Sequence, residues 1–267
     1  MRQPLHSSLL LLLLLLTTPA TAQESEDDTK ELSEAEMTEM LEEFDARQRA
    51  SGDYKALVYI EQKEKGKEDL LYEALIYRRD KDDKLVILFT KPKSEKGKGY
   101  LRIDKNLFLY DPNVGKWERR TERERIGGTG SRRRDFDESR LADEFKPSYV
   151  AREELGKYDV HHMKLKAKEE ADVAYPVMEA WIDVETNNIL KLQEFALSGK
   201  LVRTTYYPRW AKEKNQETGE TVYFPKEIRI YDEIEEGSKT TMVFRAVDLK
   251  ELPDNIFTKA WLESKSR

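Results

Sequence analysis

Leu70-Leu71-Tyr72-Glu73-Ala74-Leu75-Ile76-Tyr77, a charged turn at Arg79-Asp80-Lys81-Asp82-Asp83, and then Leu85-Val86-Ile87-Leu88-Phe89 decide how this chain folds. Both runs are short, rich in aliphatic and aromatic side chains, and bounded by turn residues, which marks strands. A strand with one wet face alternates apolar and polar residues. Here both phases are apolar. Leu70, Tyr72, Ala74 and Ile76 stand against Leu71, Leu75 and Tyr77, and Leu85, Ile87 and Phe89 against Val86 and Leu88. Leu107 and Leu109 against Phe108 and Tyr110 repeat the pattern. Both faces of this sheet therefore need cover. Helices can supply one cover; the other requires a second layer or a bound apolar ligand. A closed core filled by side chains meets the same demand, so strand pattern alone leaves the existence of a cavity open.

Working outward, period-two runs recur at 54–62, 98–104, 149–152, 157–166, 175–184, 189–197, 200–207, 221–232 and 240–249. Asn187-Asn188 and Ser198-Gly199 read as hairpin turns. The connections are too short for crossover helices, so the strands form an antiparallel meander. Ser33-Glu34-Ala35-Glu36 is a capping box, and Met37, Met40, Leu41 and Phe44 follow at helical spacing up to a stop at Gly52. Residues 121–145 interrupt the strands with an Arg-rich, Gly-punctuated stretch that turns helix-like over 137–145, and 253–261 reads as a terminal turn or short helix. Eleven or twelve strands cannot stay flat and open. The expected fold is mainly β (α+β), a single strongly curved antiparallel sheet with helices over its concave side.

Charged residues make up 37% of the 267 residues, yet 13 Tyr and 9 Phe argue for a packed core rather than disorder. A net charge of −6 speaks against nucleic acid as a partner. Zero cysteines exclude disulfides and thiolate metal sites. Arg2, the Leu9–Leu16 run, Pro19 and Ala20-Thr21-Ala22 read as a signal peptide over 1–22, cleaved after Ala22. Eight leucines reach only ~12 Å, against a ~30 Å hydrocarbon core. An acidic flexible leader is expected over 23–32 and one domain over 33–267. Export without cysteines suits a bacterial periplasm.

Chemical signals are sparse. Gly127-Gly128-Thr129-Gly130-Ser131 lacks the frame of a phosphate loop and reads as a mobile loop. His161-His162 would point to opposite faces of a strand and could not chelate one metal ion together. Arg132, Arg133 and Arg134 are either a salt-bridged surface loop or a patch for lipid headgroups or an acidic partner. No carboxylate pair stands out as an acid/base couple. Neither enzymatic activity nor a cofactor is expected.

Phe89-Thr90-Lys91-Pro92, Gly97-Lys98-Gly99-Tyr100-Leu101, Leu109-Tyr110-Asp111-Pro112, Gly115-Lys116-Trp117 and Asp135-Phe136-Asp137-Glu138-Ser139-Arg140-Leu141 follow one another in an order that resembles the outer-membrane lipoprotein-sorting family of LolA-like periplasmic proteins. Pro176 to Trp181, Leu190-Lys191, Thr204-Tyr206-Tyr207 and Pro225-Lys226-Glu227-Ile228 extend the likeness over most of 33–262. The chain departs from it at Ser131-Arg132-Arg133-Arg134, where many relatives carry a small or apolar run. The resemblance implies an unclosed β-barrel whose apolar interior shelters the acyl chains of a lipoprotein or another lipid. It implies an inner-membrane transporter as partner and no catalytic residue. A monomer is expected. A periplasmic sensor or regulatory interaction domain shares the architecture, but such regulators carry a second C-terminal domain, not expected at this length. A hydrolase using clustered carboxylates is the third possibility. The residues expected to line the cavity are Leu57, Tyr59, Leu75, Tyr77, Leu88, Leu101, Leu109, Trp117, Trp181 and Phe195.

Overall fold

The computed structural model describes residues 31–49, 52–103, 106–121, 124–215 and 218–266. The export signal and most of the acidic leader fall outside the described residues. Helix α1 spans Glu34–Arg49. Its N-terminus is the expected capping box: the Glu36 amide donates to Ser33 Oγ, and the Ser33 amide donates to Glu36 Oε2 at 2.8 Å. Strands β1 (Asp53–Lys63), β2 (Leu70–Arg79), β3 (Lys84–Lys91), β4 (Gly99–Ile103), β5 (Asn106–Asp111) and β6 (Lys116–Arg120) follow as a meander. A crossing segment over 121–144 contains the short helix α2 (Leu141–Glu144). A second meander comprises β7 (Phe145–Leu155), β8 (Tyr158–Ala167), β9 (Val177–Asp183), β10 (Ile189–Phe195), β11 (Leu201–Lys214), β12 (Thr221–Asp232) and β13 (Lys239–Asp248). Helix α3 (Lys259–Lys265) ends the fold.

All thirteen strands join one sheet in the order β6-β5-β4-β3-β2-β1-β13-β12-β11-β10-β9-β8-β7. Every pairing is antiparallel, and the two meanders meet where β1 lies against β13, with Val58 opposite Phe244. The sheet is curved but not closed, since β6 and β7 are its two edges. That order gives the crossing segment its path. It must run from one edge of the sheet to the other, and it does so over the concave face. β6 escapes a period-two reading because Lys116-Trp117-Glu118-Arg119-Arg120 carries a single apolar side chain, which an edge strand in water tolerates.

Three apolar clusters hold the fold. On the concave face, Ala56, Val58, Ile60, Ile76, Leu85, Ile87 and Phe89 pack with Ile126 and Phe136 of the crossing segment. Further along the same face, Met37, Leu41 and Phe44 of α1 pack on Met163, Met178, Ala180 and Ile182. The third cluster lies on the convex face, where Tyr77, Val86, Leu88 and Leu101 are covered by Leu252, Ile256, Phe257 and Leu262. The doubly apolar strands therefore receive two layers of protein. The expectation that helices cover the concave side holds for α1 and α2, whereas α3 lies on the opposite face.

The Gly97-Lys98-Gly99 motif serves that convex layer. A Cβ at Gly99 would come within 2.7 Å of Leu262 Cδ1, and one at Gly97, whose φ is +86°, would collide with the Ser266 carbonyl. Arg79 anchors the same layer, pairing with Asp53 at 2.8 Å and with Asp254. No helix among the described residues is long and apolar enough to cross a membrane.

Candidate functional site

Between the concave face and the crossing segment lies a cavity of about 200 Å³. It is larger than the ~150 Å³ apolar hole that holds a benzene, and smaller than the roughly 300–1,000 Å³ of drug-sized sites. Its walls differ chemically. Phe44, Ile189, Leu192, Trp210, Val222, Phe224, Ile228, Phe244, Val247 and Leu249 make an apolar end, from α1 and β10 to β13. Arg78, Arg102, Arg133, Arg134, Asp135, Asp137, Glu138, Arg140, Glu194 and Arg203 make a charged end, mostly on the crossing segment. A purely greasy hollow is thus not what the strands build.

The charged end is an ion-pair clamp between segment and sheet. Arg203 lies 2.6 Å from Asp135 and 2.8 Å from Glu194, with all three carboxylate and guanidinium groups almost wholly buried. Burial works against the Arg203 charge, but Asp135 and Glu194 outweigh it and hold the guanidinium above its ordinary range. Asp137 pairs with Arg102 and, at 3.0 Å, with Arg133. Burial nevertheless pushes the Asp137 carboxyl upward, against the pull of both arginines. Losing one partner of such a buried pair costs about 3–5 kcal/mol, because the other charge is left without compensation.

The Gly-rich stretch is pinned rather than free. The Gly127 amide donates to the Tyr100 hydroxyl at 3.0 Å, and the Tyr72 hydroxyl donates to the Gly127 carbonyl at 3.0 Å. The Gly130 amide donates to Gln62 Oε1 at 2.9 Å and Thr240 Oγ1 at 2.7 Å. Glycine is needed because Gly127 has φ +61°, and a Cβ there would sit 2.9 Å from the Phe89 ring. These bonds correct the expectation of a mobile loop.

The ten residues expected to line the cavity stand off its wall. On β1, Ala56 and Val58 face the concavity, so Leu57 and Tyr59 face outward, and Tyr59 is exposed. Leu75, Tyr77, Leu88, Leu101 and Trp117 belong to the convex layer under the C-terminal segment, where Trp117 Nε1 donates to Glu263 at 2.6 Å. Trp181 lies outside as well, stacked on His162 at 4.1 Å, beneath Lys191 Nζ at 3.6 Å. Phe195 is out of phase with Glu194, which faces inward. Leu109 alone faces the concavity, packed against the concave cluster away from the hollow. The correction has one cause: with both phases apolar, hydropathy does not say which phase is concave.

The arginine triplet divides. Arg133 and Arg134 line the cavity, while Arg132 stacks over the Tyr175 ring at 5.2 Å. His161 and His162 take opposite faces, as strand geometry requires: His161 lies near Tyr149, and His162 lies between Glu153 and Glu179.

Residues that sequence reasoning passed over are Glu194, Arg203, Thr205 and Tyr207. The available signal was partial: Glu194 is in phase with the inward aliphatic Leu192, whereas Arg203 and Thr205 share a phase with the aromatic Tyr207. Thr205 is the informative one. It is 1% exposed, lines the cavity, and lies between Leu192 of β10 and Ile230 of β12. Its hydroxyl has no hydrogen-bond partner among the described residues.

A family model of uncharacterized proteins, DUF1329-like, matches residues 81–264. The chain belongs to that family. A DUF1329 family protein from Desulfovibrio piger superposes with a TM-score of 0.74 at 18% identity, over 84% of this chain and 97% of that one. A domain described as outer membrane lipoprotein-sorting, from Vibrio parahaemolyticus, gives a TM-score of 0.72 at 16% identity, over 85% and 97%. A LolA superfamily protein from Nitrosomonas europaea gives 0.67 at 21% identity, over 84% and 97%. At these identities the likeness is one of fold, and the fold of this DUF1329-like chain is LolA-like. No curated protein matches it.

Proposed function

We propose that this DUF1329-like protein is a periplasmic carrier that shelters acyl chains in the cavity beneath its crossing segment. It acts in outer-membrane lipoprotein sorting or with an inner-membrane transporter. The observation that supports this most is the apolar end of the cavity, where Phe44, Trp210, Phe224 and Phe244 face an internal hollow that no side chain fills. Each methylene entering it from water gains about 0.8 kcal/mol. A hollow of about 200 Å³ accepts part of a chain. A longer chain therefore requires the crossing segment to shift, and the Arg203 and Arg102 clamps set the cost of that shift. Binding without covalent chemistry is consistent with this wall, since each cavity carboxylate named above stands beside an arginine.

Native mass spectrometry of the protein purified from the periplasm tests the proposal. A co-purified acylated species, released on denaturation, is the expected result, and its mass names the cargo. Protein that is free of lipid, and that also leaves the emission of an uncharged naphthylamine probe unchanged, would remove the carrier reading.

A further inference from the structure

Where the two ends of the cavity meet, β11 places Arg203, Thr205 and Tyr207 on one face, all lining the hollow. Thr205 is flanked across the sheet by Leu192 and Ile230, and its buried hydroxyl has no partner among the described residues. Buried hydroxyls are almost always paired. Arg203 uses its two terminal nitrogens on Glu194 and Asp135 and keeps a buried Nε without a hydrogen-bond partner. The seam thus holds a hydroxyl and an N–H donor just behind the cavity wall, shielded in this closed form, so a ligand reaches them only when that wall shifts.

We infer that Thr205 and Arg203 form a seat for the carbonyl oxygen of an acyl ester or amide, which holds an acylated ligand at its linkage while the chain lies against the apolar end. This deepens the carrier reading and rests on it.

The charge at the seat selects among acyl compounds. One guanidinium stands between two carboxylates, so Arg203 has no unmatched positive charge to offer a third. A free fatty-acid carboxylate needs a cation of its own when it is buried. An ester or amide carbonyl is an uncharged acceptor and does not. Tyr207 fits the same choice. Burial first, and then Asp135, raises its phenol above the ordinary value, so it stays a neutral donor.

The test is displacement of an uncharged naphthylamine probe from the mature protein by methyl decanoate, decanoate and decane, ligands of one chain length. Methyl decanoate is expected to displace it at lower concentration than either of the others. Thr205→Val keeps the side-chain shape and removes the hydroxyl. It should weaken methyl decanoate about tenfold while leaving decane unchanged. Thr205→Ser should retain the ester preference. The seat is overturned if Thr205→Val binds methyl decanoate as the parent does, if ester and decane weaken alike, or if decanoate competes best. Parent protein that takes up neither the probe nor any of the three ligands would instead remove the carrier reading, and the seat with it.

Discussion

At position 161 the sheet half-buries an imidazole whose Nδ1 has no hydrogen-bond partner among the described residues. Burial and the Arg152 charge hold the His161 pKa below its ordinary value of 6.5, against the opposing pull of Asp159. Below 6.5 the unfolded chain therefore takes up a proton more readily than the folded one. Stability that is complete above that pH is lost as pH falls through the lower folded value. His161→Phe should accordingly lose less melting temperature than the parent between pH 7 and pH 5. Parallel thermal-unfolding curves for the two proteins would show that this imidazole is not coupled to folding. The same scale shows why some residues could be read from sequence and others not. The capping pair Ser33 and Glu36 is local, three residues apart, and its chemistry is complete within one helical turn. The orphaned hydroxyl of Thr205 depends on what the neighbouring strands place beside it, and a threonine in a strand is otherwise unremarked.

Among the elements, α3 and the residues before it carry more of the fold than their length suggests. Leu262 is fully buried and fills the space that Gly99 leaves open over β3 and β4. Leu262→Ala should destabilise the protein by about 2–5 kcal/mol in urea unfolding, through lost burial and the cavity left behind. A loss below about 1 kcal/mol would mean that the convex layer is peripheral to stability. The strands themselves were legible, because period-two runs broken by turn residues encode them locally. Asn187 and Gly199 sit in the expected turns with φ of +54° and +79°. The edge strand β6 was legible only through the family likeness at Gly115-Lys116-Trp117, since its charged sequence shows no period of two. The first residues of β7 were missed. Phe145 and Pro147 alternate in burial with the exposed Lys146 and Ser148, but Phe145 reads equally as the last residue of the helix-like stretch, and it packs in the cluster of α1 and α2.

For the whole molecule, the decisive joint is the pairing of β1 with β13, which links the first strand to the last and fuses two meanders into one sheet. Nothing else in the strand order joins the halves. A chain ending after Gly237 would leave β1 and β12 without their shared neighbour, and is expected to show neither a cooperative urea transition nor dispersed amide resonances. A truncated protein that still unfolds cooperatively would show that the meanders are independent. The sequence by itself determined the antiparallel strands, their turns, the N-terminal helix and the LolA-like order of motifs, because each rests on periodicity or on neighbours a few residues apart. It also determined that both sheet faces would be covered. Only the tertiary structure decided which cover lies where. The crossing segment must pass from β6 to β7 and so claims the concave side, which sends α3 to the convex side and, with it, most of the residues expected in the cavity. The clamp has a related origin: the β10–β11 hairpin already sets Glu194 opposite Arg203, and the crossing segment brings the distant Asp135 onto that pair.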